Sequence, residues 1–559
     1  MKKRERALAD VAGKKFDVCV IGGGATGAGC ALDSQLRGLR TALVDAGDFG
    51  GATSSASTKI AHGGVRYLEE AVKNLDLAQY RVVDRALRER IRMFRNAPHL
   101  CRTLEFLIPC FSRTALAYYG VGLKVYDWVS GGARILPSHL LSSEETLGRM
   151  PALKREGVVG AVAYADGQFD DSRYNIALVE TFAKNGGEPL NYARVTGFRK
   201  AVDGRLSAAE VEDRFGAKRF EIEATVFVNA TGPFADGVRV LANPSALPRI
   251  RLSKGVHILL PLEVMPSADA LLIPKTDDGR VIFAVPWSGR LLVGTTEQEV
   301  SANDELYLSK DEVAFLLLHL NRYLEHPASA KDVVSGFAGA RPLLSKGKSR
   351  ETKNLSRDHE VEIDPSNGLV SIMGGKWTTY RAMAQDTIDA VQGQLGTPRT
   401  RSITANYPLA GSEGLARFVP SNYMPEWWKP FVREYGISQA SARRLAGKFG
   451  ALAPKVLQLT REDRELANLL VDGLPVLRAE VVYCARNEMA VTIEDVLFRR
   501  TGVQLYSWRA AIQAASAVAA ILRKELGWSA GAEREAVENY KRKIERLMQL
   551  AGLTAPAQS

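Results

Sequence analysis

The segment "KKFDVCVIGGGATGAGCALDSQLRGLRTALVDAG", from Lys14 to Gly47, leaves the chain few ways to fold. The apolar run Phe16 to Ile21 predicts a strand, Gly22-x-Gly24-x-x-Gly27 follows, and a helical pattern runs to about Arg37. Leu39 to Val44 predicts a second strand, ending at Asp45. Gly22 permits a tight turn, Gly24 lets a pyrophosphate approach the backbone, and Gly27 lets helix and sheet pack closely. The helix that opens at Ala25 and Thr26 turns free N–H groups and its positive dipole end toward the phosphates. Asp45, about 18 residues beyond Gly27, is placed to accept hydrogen bonds from a ribose hydroxyl. A βαβ dinucleotide site is therefore expected, and its spacing does not choose between NAD and FAD.

With 559 residues the chain is too long for one core, so two or three domains are expected. No apolar run approaches the roughly 18 residues of a membrane span, and "AFLLLHL" (Ala314 to Leu320) reads as a short buried piece. The start "MKKRERALAD" is basic with no apolar stretch after it, so no secretory signal and a cytoplasmic location are expected. Cys19, Cys30, Cys101, Cys110 and Cys484 show neither a CxxC pair nor metal-ligand spacing, so buried thiols are expected, with no disulfide framework and no metal site. The net charge of +11 suits an anionic substrate or membrane; basic residues are scattered and no nucleic-acid motif is present, so nucleic acid is not expected as a partner.

Three later stretches extend the site. "SSASTKIAHGGVRYL" (Ser54 to Leu68) packs small hydroxyls, a lysine, a histidine, two glycines and an Arg-Tyr pair into a short span after the nucleotide signature. "EATVFVNATGPFAD" (Glu223 to Asp236) reads as a strand ending in Ala-Thr-Gly-Pro. "GLVSIMGGKWTTYRAMAQDTIDAV" (Gly368 to Val391) reads as a strand, a Gly-Gly turn and a helix opening with Thr378 and Thr379. Val195 lies on a further extended run. Such widely separated returns to one nucleotide domain suit a large flavin, and a helix N-terminus at Gly375 to Thr378 would stabilise negative charge on its pyrimidine ring.

These stretches, together with "GLKVYDWVSG", "ADGQFDDSRYN", "KGVHILLP", "GFAGARPL" and "AEVVYCARNEMAVTIEDVLFRRT", resemble the FAD-dependent, quinone-linked glycerol-3-phosphate dehydrogenases, within the broader D-amino-acid-oxidase-like flavoprotein group. The resemblance runs from about residue 16 to 520. It implies FAD, sn-glycerol 3-phosphate as substrate, a membrane quinone as electron acceptor and peripheral attachment to the cytoplasmic membrane; a homodimer is compatible with it. The implied fold is α/β: a Rossmann-like FAD-binding domain (16–95, 161–235 and 336–395) interleaved with an α+β substrate domain (96–160 and 236–335), plus a C-terminal α-helical domain (410–545).

By the same resemblance, Gly22, Gly24, Ala25, Thr26, Gly27, Asp45, Ser54, Ser55, Thr58, Lys59, Val195, Thr231, Gly232, Gly375, Lys376, Trp377 and Thr378 would hold FAD, and His62, Arg66 and Tyr67 would face the substrate. The two glycines Gly63 and Gly64 would let the backbone pass close to the flavin ring. A phosphate dianion needs cations; Arg66 and Arg341 are candidates, with Lys376 and Tyr67 in support. A neutral histidine is the usual base near pH 7, and His62 and His257 both lie in matching segments, with nothing to choose between them. "LAYYGVGLKVYDWVSG" and "PEWWKPFVREYG" would serve either as core or as a membrane-resting surface. The competing readings are an oxidase of the same fold that passes electrons to oxygen, an amino-acid or amine oxidase, which would need a carboxylate clamp, and a non-catalytic flavin-bound membrane scaffold.

Overall fold

In the computed structural model the described residues are 1–63, 77–133, 135–216, 218–345, 358–415 and 426–553. The strand, turn and helix expected at the start form as β1 (Lys15–Ile21) and the Ala25–Leu36 helix, and the chain returns through β2 (Thr41–Val44). All four β2 residues are buried, as a strand covered on both faces requires. β1 sits at the centre of the first sheet, parallel to β2 on one side and to β10 (Arg219–Asn229) on the other. β7 (Glu188–Leu190) extends it beyond β2, while β18 (Val370–Gly374) and β17 (His359–Ile363) extend it beyond β10. β8 (Ala193–Lys200) and β9 (Leu206–Asp213) form an antiparallel arm on β10. The carboxyl ends of β1, β2 and β10, drawn from distant parts of the sequence, thus meet at one crevice, where open α/β sheets bind ligands.

The second sheet is built around β11 (Ile250–Pro261), which pairs over ten residues with β16 (Ser335–Leu344). It continues through β14 (Arg290–Gly294), β13 (Ile282–Trp287), β12 (Ala270–Ile273), β4 (Cys101–Cys110), β6 (Gly160–Phe169) and β3 (Ile60–Ala61), with β15 (Gln298–Val300) and β5 (His139–Ser142) at its margins. Two stretches that the sequence reading groups with the FAD-binding segments, β6 and β16, lie in this sheet. The reason is pairing: β6 is laddered to β4 from Gly160 to Phe169, and β16 to β11 along its whole length. The hydrophobic face of this sheet (Leu107, Val256, Ile258, Val293) shares one core with the C-terminal helices through Leu445, Val482 and Val518.

Those helices also reach the nucleotide crevice through charge. Asp48, fully buried, accepts from Arg499 Nε at 2.6 Å and from Arg500 Nη1 and Nη2 at 2.6 and 2.9 Å. Arg499 continues to Asp495 at 2.6 Å, and Arg173 forms a two-pronged pair with Glu488 at 2.8 Å on both prongs. Burial alone would raise the Asp48 carboxyl, but Arg500 and Arg499 overcome it and hold it at about 2. Each charge here is compensated, so removing one partner leaves a bare ion in a dry interior. Arg500→Met is therefore expected to destabilise the protein by about 3–5 kcal/mol, read as a lower urea midpoint in tryptophan fluorescence. An unchanged midpoint would show that the pair carries no net weight.

Candidate functional site

The turn between β1 and its helix exists because three side chains are missing. A Cβ at Gly27 would lie 1.7 Å from the Gly22 carbonyl oxygen, and at Gly22, which has φ +103°, a Cβ would lie 2.7 Å from the Ala230 carbonyl oxygen. Such a φ suits glycine, and the contact brings strand, helix and β10 together. Gly24 precedes the helix, and Ser54 Oγ stands against it, accepting from the Ala25 amide at 2.9 Å. Asp45, at the end of β2, accepts from the Gly23 amide at 2.6 Å and the Gly47 amide at 2.7 Å. Burial pushes its carboxyl up to about 6, against the pull of those amides. Each of its oxygens retains a lone pair for a ribose hydroxyl. Across the crevice, Thr231 is anchored by its hydroxyl to Asn229 at 2.7 Å, and Gly232 (φ +57°) has open space where a side chain would stand. Val195 is buried in β8. A narrow glycine turn, a helix N-terminus and a carboxylate at the strand end fit a dinucleotide such as FAD.

From Ser54 the chain passes between the two sheets. Ser55 is buried, and Lys59, with φ +62°, turns its ammonium inward to the Asp171 carboxylate at 2.5 Å and the Ser55 carbonyl at 2.8 Å. That ammonium lies over the rings of Phe337 and Trp287, so the Lys59 side chain is tied into the protein interior. Thr58 Oγ1 lies 3.0 Å from His257 Nε2, and His62 follows β3 directly, half-buried. A side chain at Gly63 would collide with Leu87 and the Tyr126 hydroxyl, so the close approach at this glycine is to the protein's own packing. Gly64, Arg66 and Tyr67 lie outside the described residues.

The Gly-Gly turn after β18 places Gly374 and Gly375 at φ +73° and +80°. Lys376 follows with its ammonium shielded from solvent, then the short Trp377–Thr379 turn, which leads into the Tyr380–Leu395 helix. Thr378 is buried. Trp377 donates from its indole N–H to the Ser54 carbonyl at 2.9 Å and packs edge-on against Phe169 and Tyr174. It thereby fastens this turn to the turn at Ser54.

On the second sheet, Arg341 Nη2 donates to Thr295 Oγ1 at 2.9 Å, and His257 stacks on Phe337 with ring centres 4.8 Å apart. His257 is 2% exposed. Burial, with Arg341 and Lys59 nearby, drives its pKa well below the ordinary histidine value, so the imidazole is neutral. The two candidate histidines thus differ in setting: His257 is enclosed, whereas His62 is half-buried just beyond the edge strand β3.

Sequence reasoning passed over Thr295, which orients Arg341, and Asn175, whose amide holds the Gly23 carbonyl at 2.9 Å. Arg499 and Arg500, in "VLFRRT", have no role in the sequence reading; two adjacent arginines inside an apolar run are the available signal of a buried carboxylate partner. Of the two aromatic stretches, the second is core: Trp428 and Phe431 are buried, and Arg443 lies over the Trp428 ring. The first forms the Arg113–Ser130 helix, which buries Leu123 and Tyr126 but exposes Tyr118, Val121 and Trp128, the last 79% exposed.

Fold and crevice are those of a flavin-dependent oxidoreductase. Residues 17–381 match the FAD dependent oxidoreductase family, and residues 402–533 match the C-terminal domain of alpha-glycerophosphate oxidase. The chain is 39% identical over 554 residues to the mitochondrial glycerol-3-phosphate dehydrogenase SDP6 of Arabidopsis thaliana, covering 96% of this chain and 87% of that protein. It is 38% identical to the mitochondrial glycerol-3-phosphate dehydrogenase of Mus musculus, covering 94% of this chain and 73% of that one. The crystal structure of the glycerol-3-phosphate dehydrogenase from Bacillus halodurans, complexed with FAD, superposes with a TM-score of 0.79 at 28% identity, covering 100% of this chain and 99% of that one. The chain belongs to the FAD-dependent glycerol-3-phosphate dehydrogenase family.

Because the Gly27 contact is to backbone, no neighbouring side chain can yield to a methyl group there. Gly27→Ala is expected to purify without flavin, measured as the ratio of flavin to protein absorbance; a stoichiometric yellow protein would show that the turn tolerates a side chain.

Proposed function

We propose that this protein oxidises sn-glycerol 3-phosphate to dihydroxyacetone phosphate, with a membrane quinone as the final electron acceptor. The observation that carries this reading is Arg341, held by Thr295 beside a neutral, enclosed His257. Bound in the crevice, FAD supplies the acceptor for the hydride leaving C2. In the proposed division of labour Arg341 and Lys376 grip the phosphate dianion, since a guanidinium fork matches phosphate oxygens and a shielded ammonium adds charge. Arg66 and Tyr67 are proposed to join them. His62 takes the proton of the C2 hydroxyl: a protonated His257 would be stranded beside Arg341 and Lys59. His257 and Thr58 then fix the wall of the pocket. Gly22 to Gly27, Asp45, Ser54, Ser55, Thr231, Gly232 and the Gly375 to Thr378 turn are the proposed flavin contacts.

Peripheral attachment to the cytoplasmic membrane is part of the same proposal. Its support is the Arg113–Ser130 helix, whose exposed Tyr118, Val121 and Trp128 share the surface with Lys124. Among the described residues, no helix is long and apolar enough to cross a membrane.

Arg341→Ala is expected to lower kcat/KM for glycerol 3-phosphate by about ten- to several-hundred-fold while flavin stays bound, the loss expected of a charged hydrogen bond. Glycerol, which lacks the phosphate, should lose far less; equal proportional losses on both substrates would remove Arg341 from the phosphate. His62→Asn should lower kcat by about 10²- to 10⁴-fold, the usual worth of a general base, and abolish the acidic limb of the kcat–pH profile. If His257→Asn does this instead, the two histidines exchange roles. Anaerobic bleaching of the flavin band by glycerol 3-phosphate, followed by recovery with a quinone analogue, tests the acceptor. Recovery by oxygen alone, with peroxide released, would make the protein an oxidase.

A further inference from the structure

A second concentration of cations shares no residue with the proposed flavin contacts. On the Leu77–Asn96 helix, Arg81, Arg85, Arg88, Arg92 and Arg95 follow a 4-3-4-3 spacing. At 3.6 residues per turn they fall within about 80° of arc and extend over roughly 21 Å. Arg81, Arg85, Arg88 and Arg95 are exposed. Arg88 is paired to Asp84 at 3.0 Å, and Arg85 approaches Asp386 at 3.5 Å.

Beside this stripe a cavity of about 480 Å³ opens, lined by Arg92, Arg381, Arg399, Thr400, Arg401 and Ser402. Its charges do not balance. Arg92 and Arg381 share the Glu89 carboxylate; Arg37 and Arg399 share Asp389, and Arg37 also takes Asp33. Arg401 makes no ion pair among the described residues and is exposed. Arg37 and Asp33 lie behind the lining and cancel; the four lining guanidiniums then meet two carboxylates, Glu89 and Asp389, an excess of two positive charges. Arg381 and Glu89 are buried and mutually satisfied, so they form the rigid floor. Arg399 and Arg401 stand at the mouth, on the stretch that leads from the Tyr380–Leu395 helix toward the C-terminal helices.

We propose that this cavity binds a phosphate-bearing anion at a site separate from the flavin crevice. The excess of two charges matches a phosphate dianion, and guanidinium forks with neighbouring hydroxyls are the donors such an anion prefers. The volume admits a small phosphorylated molecule or a phospholipid headgroup, and the arginine stripe draws either toward the mouth. A solvated face would suffice for scattered arginines; it does not account for unbalanced guanidiniums converging on one concavity.

The test uses the FAD-loaded full chain, wild type and Arg399→Gln/Arg401→Gln. Each is titrated calorimetrically with inorganic phosphate at low salt, and sedimented with vesicles of phosphatidylglycerol in phosphatidylcholine and of phosphatidylcholine alone. At least one probe is expected to bind wild type, and the double variant to weaken that binding about tenfold or more. KM for glycerol 3-phosphate and flavin content should stay unchanged. Arg399→Lys/Arg401→Lys should restore part of the binding, which a merely structural role would not require. Phosphate binding without vesicle binding assigns the site to a soluble ligand, and binding only to anionic vesicles assigns it to a headgroup. Binding of neither probe, or equal binding by wild type and the glutamine variant, overturns the proposal.

Discussion

The contact between Gly27 and the Gly22 carbonyl, too close for any side chain, is the constraint on which the rest of the structure depends. It lets the first helix start immediately after β1, so that its N-terminus faces the carboxyl ends of β1, β2 and β10. Every other part of the crevice is then delivered to that point. β2 ends in Asp45, β10 ends in the Ala230–Gly232 turn, and the chain between them supplies Ser54 to the helix start. Without the turn these groups would belong to unrelated loops. With it, they surround one volume.

A crevice assembled from loops needs holding, and the C-terminal helices provide part of the hold. The Asp45–Gly51 loop carries the proposed ribose acceptor and is tied by backbone hydrogen bonds to Leu190, Tyr192 and Ala193 on one side and to Gly23 on the other. Arg499 and Arg500 fix it further by closing on Asp48, three residues from Asp45. Arg173, bonded to Glu488, ties the Asp171–Lys184 helix to the same helices, and the neighbouring Asp171 holds Lys59. The segment that leads to His62 and the loop that carries Asp45 are therefore stiffened by one connected set of buried charges. Through these charges the helical domain holds the loops that carry the proposed site residues.

How much of this was legible depended on whether a residue's partner lay close in sequence. The β1 turn was legible in full, because the glycines, the following helix and Asp45 lie within about 30 residues and each has a local steric or electrostatic task. The sheet membership of β6 and β16 was not, since a strand's pairing partner leaves no mark on its own residues. Thr295 was invisible for the same reason: it matters through Arg341, 46 residues on. Lys59 reads from sequence as a cofactor lysine, and only its distant partner Asp171 shows where its charge is directed. The aromatic stretches were ambiguous because aromatic content measures apolar area, while packing decides whether that area is covered, as Trp428 and Trp128 show.

Net charge illustrates the same limit from the other side. An excess of +11 spread over 559 residues carries no address. The interior absorbs Arg37, Arg173, Arg381, Arg499 and Arg500, each matched to a carboxylate because an unmatched ion there is too costly. Arg90, on the same helix as the arginine stripe, is buried on Asp166 at 2.5 Å, whereas Arg88 and Arg95 face outward. One helix thus carries structural and surface arginines in a single run of sequence, and only their angular position separates them. Pairing in the interior removes positive and negative charge together, so it cannot lower the excess. The excess must therefore reside where water can solvate it or where a ligand anion completes it, which is why unbalanced arginines gather at cavity mouths and exposed helix faces and not in the core.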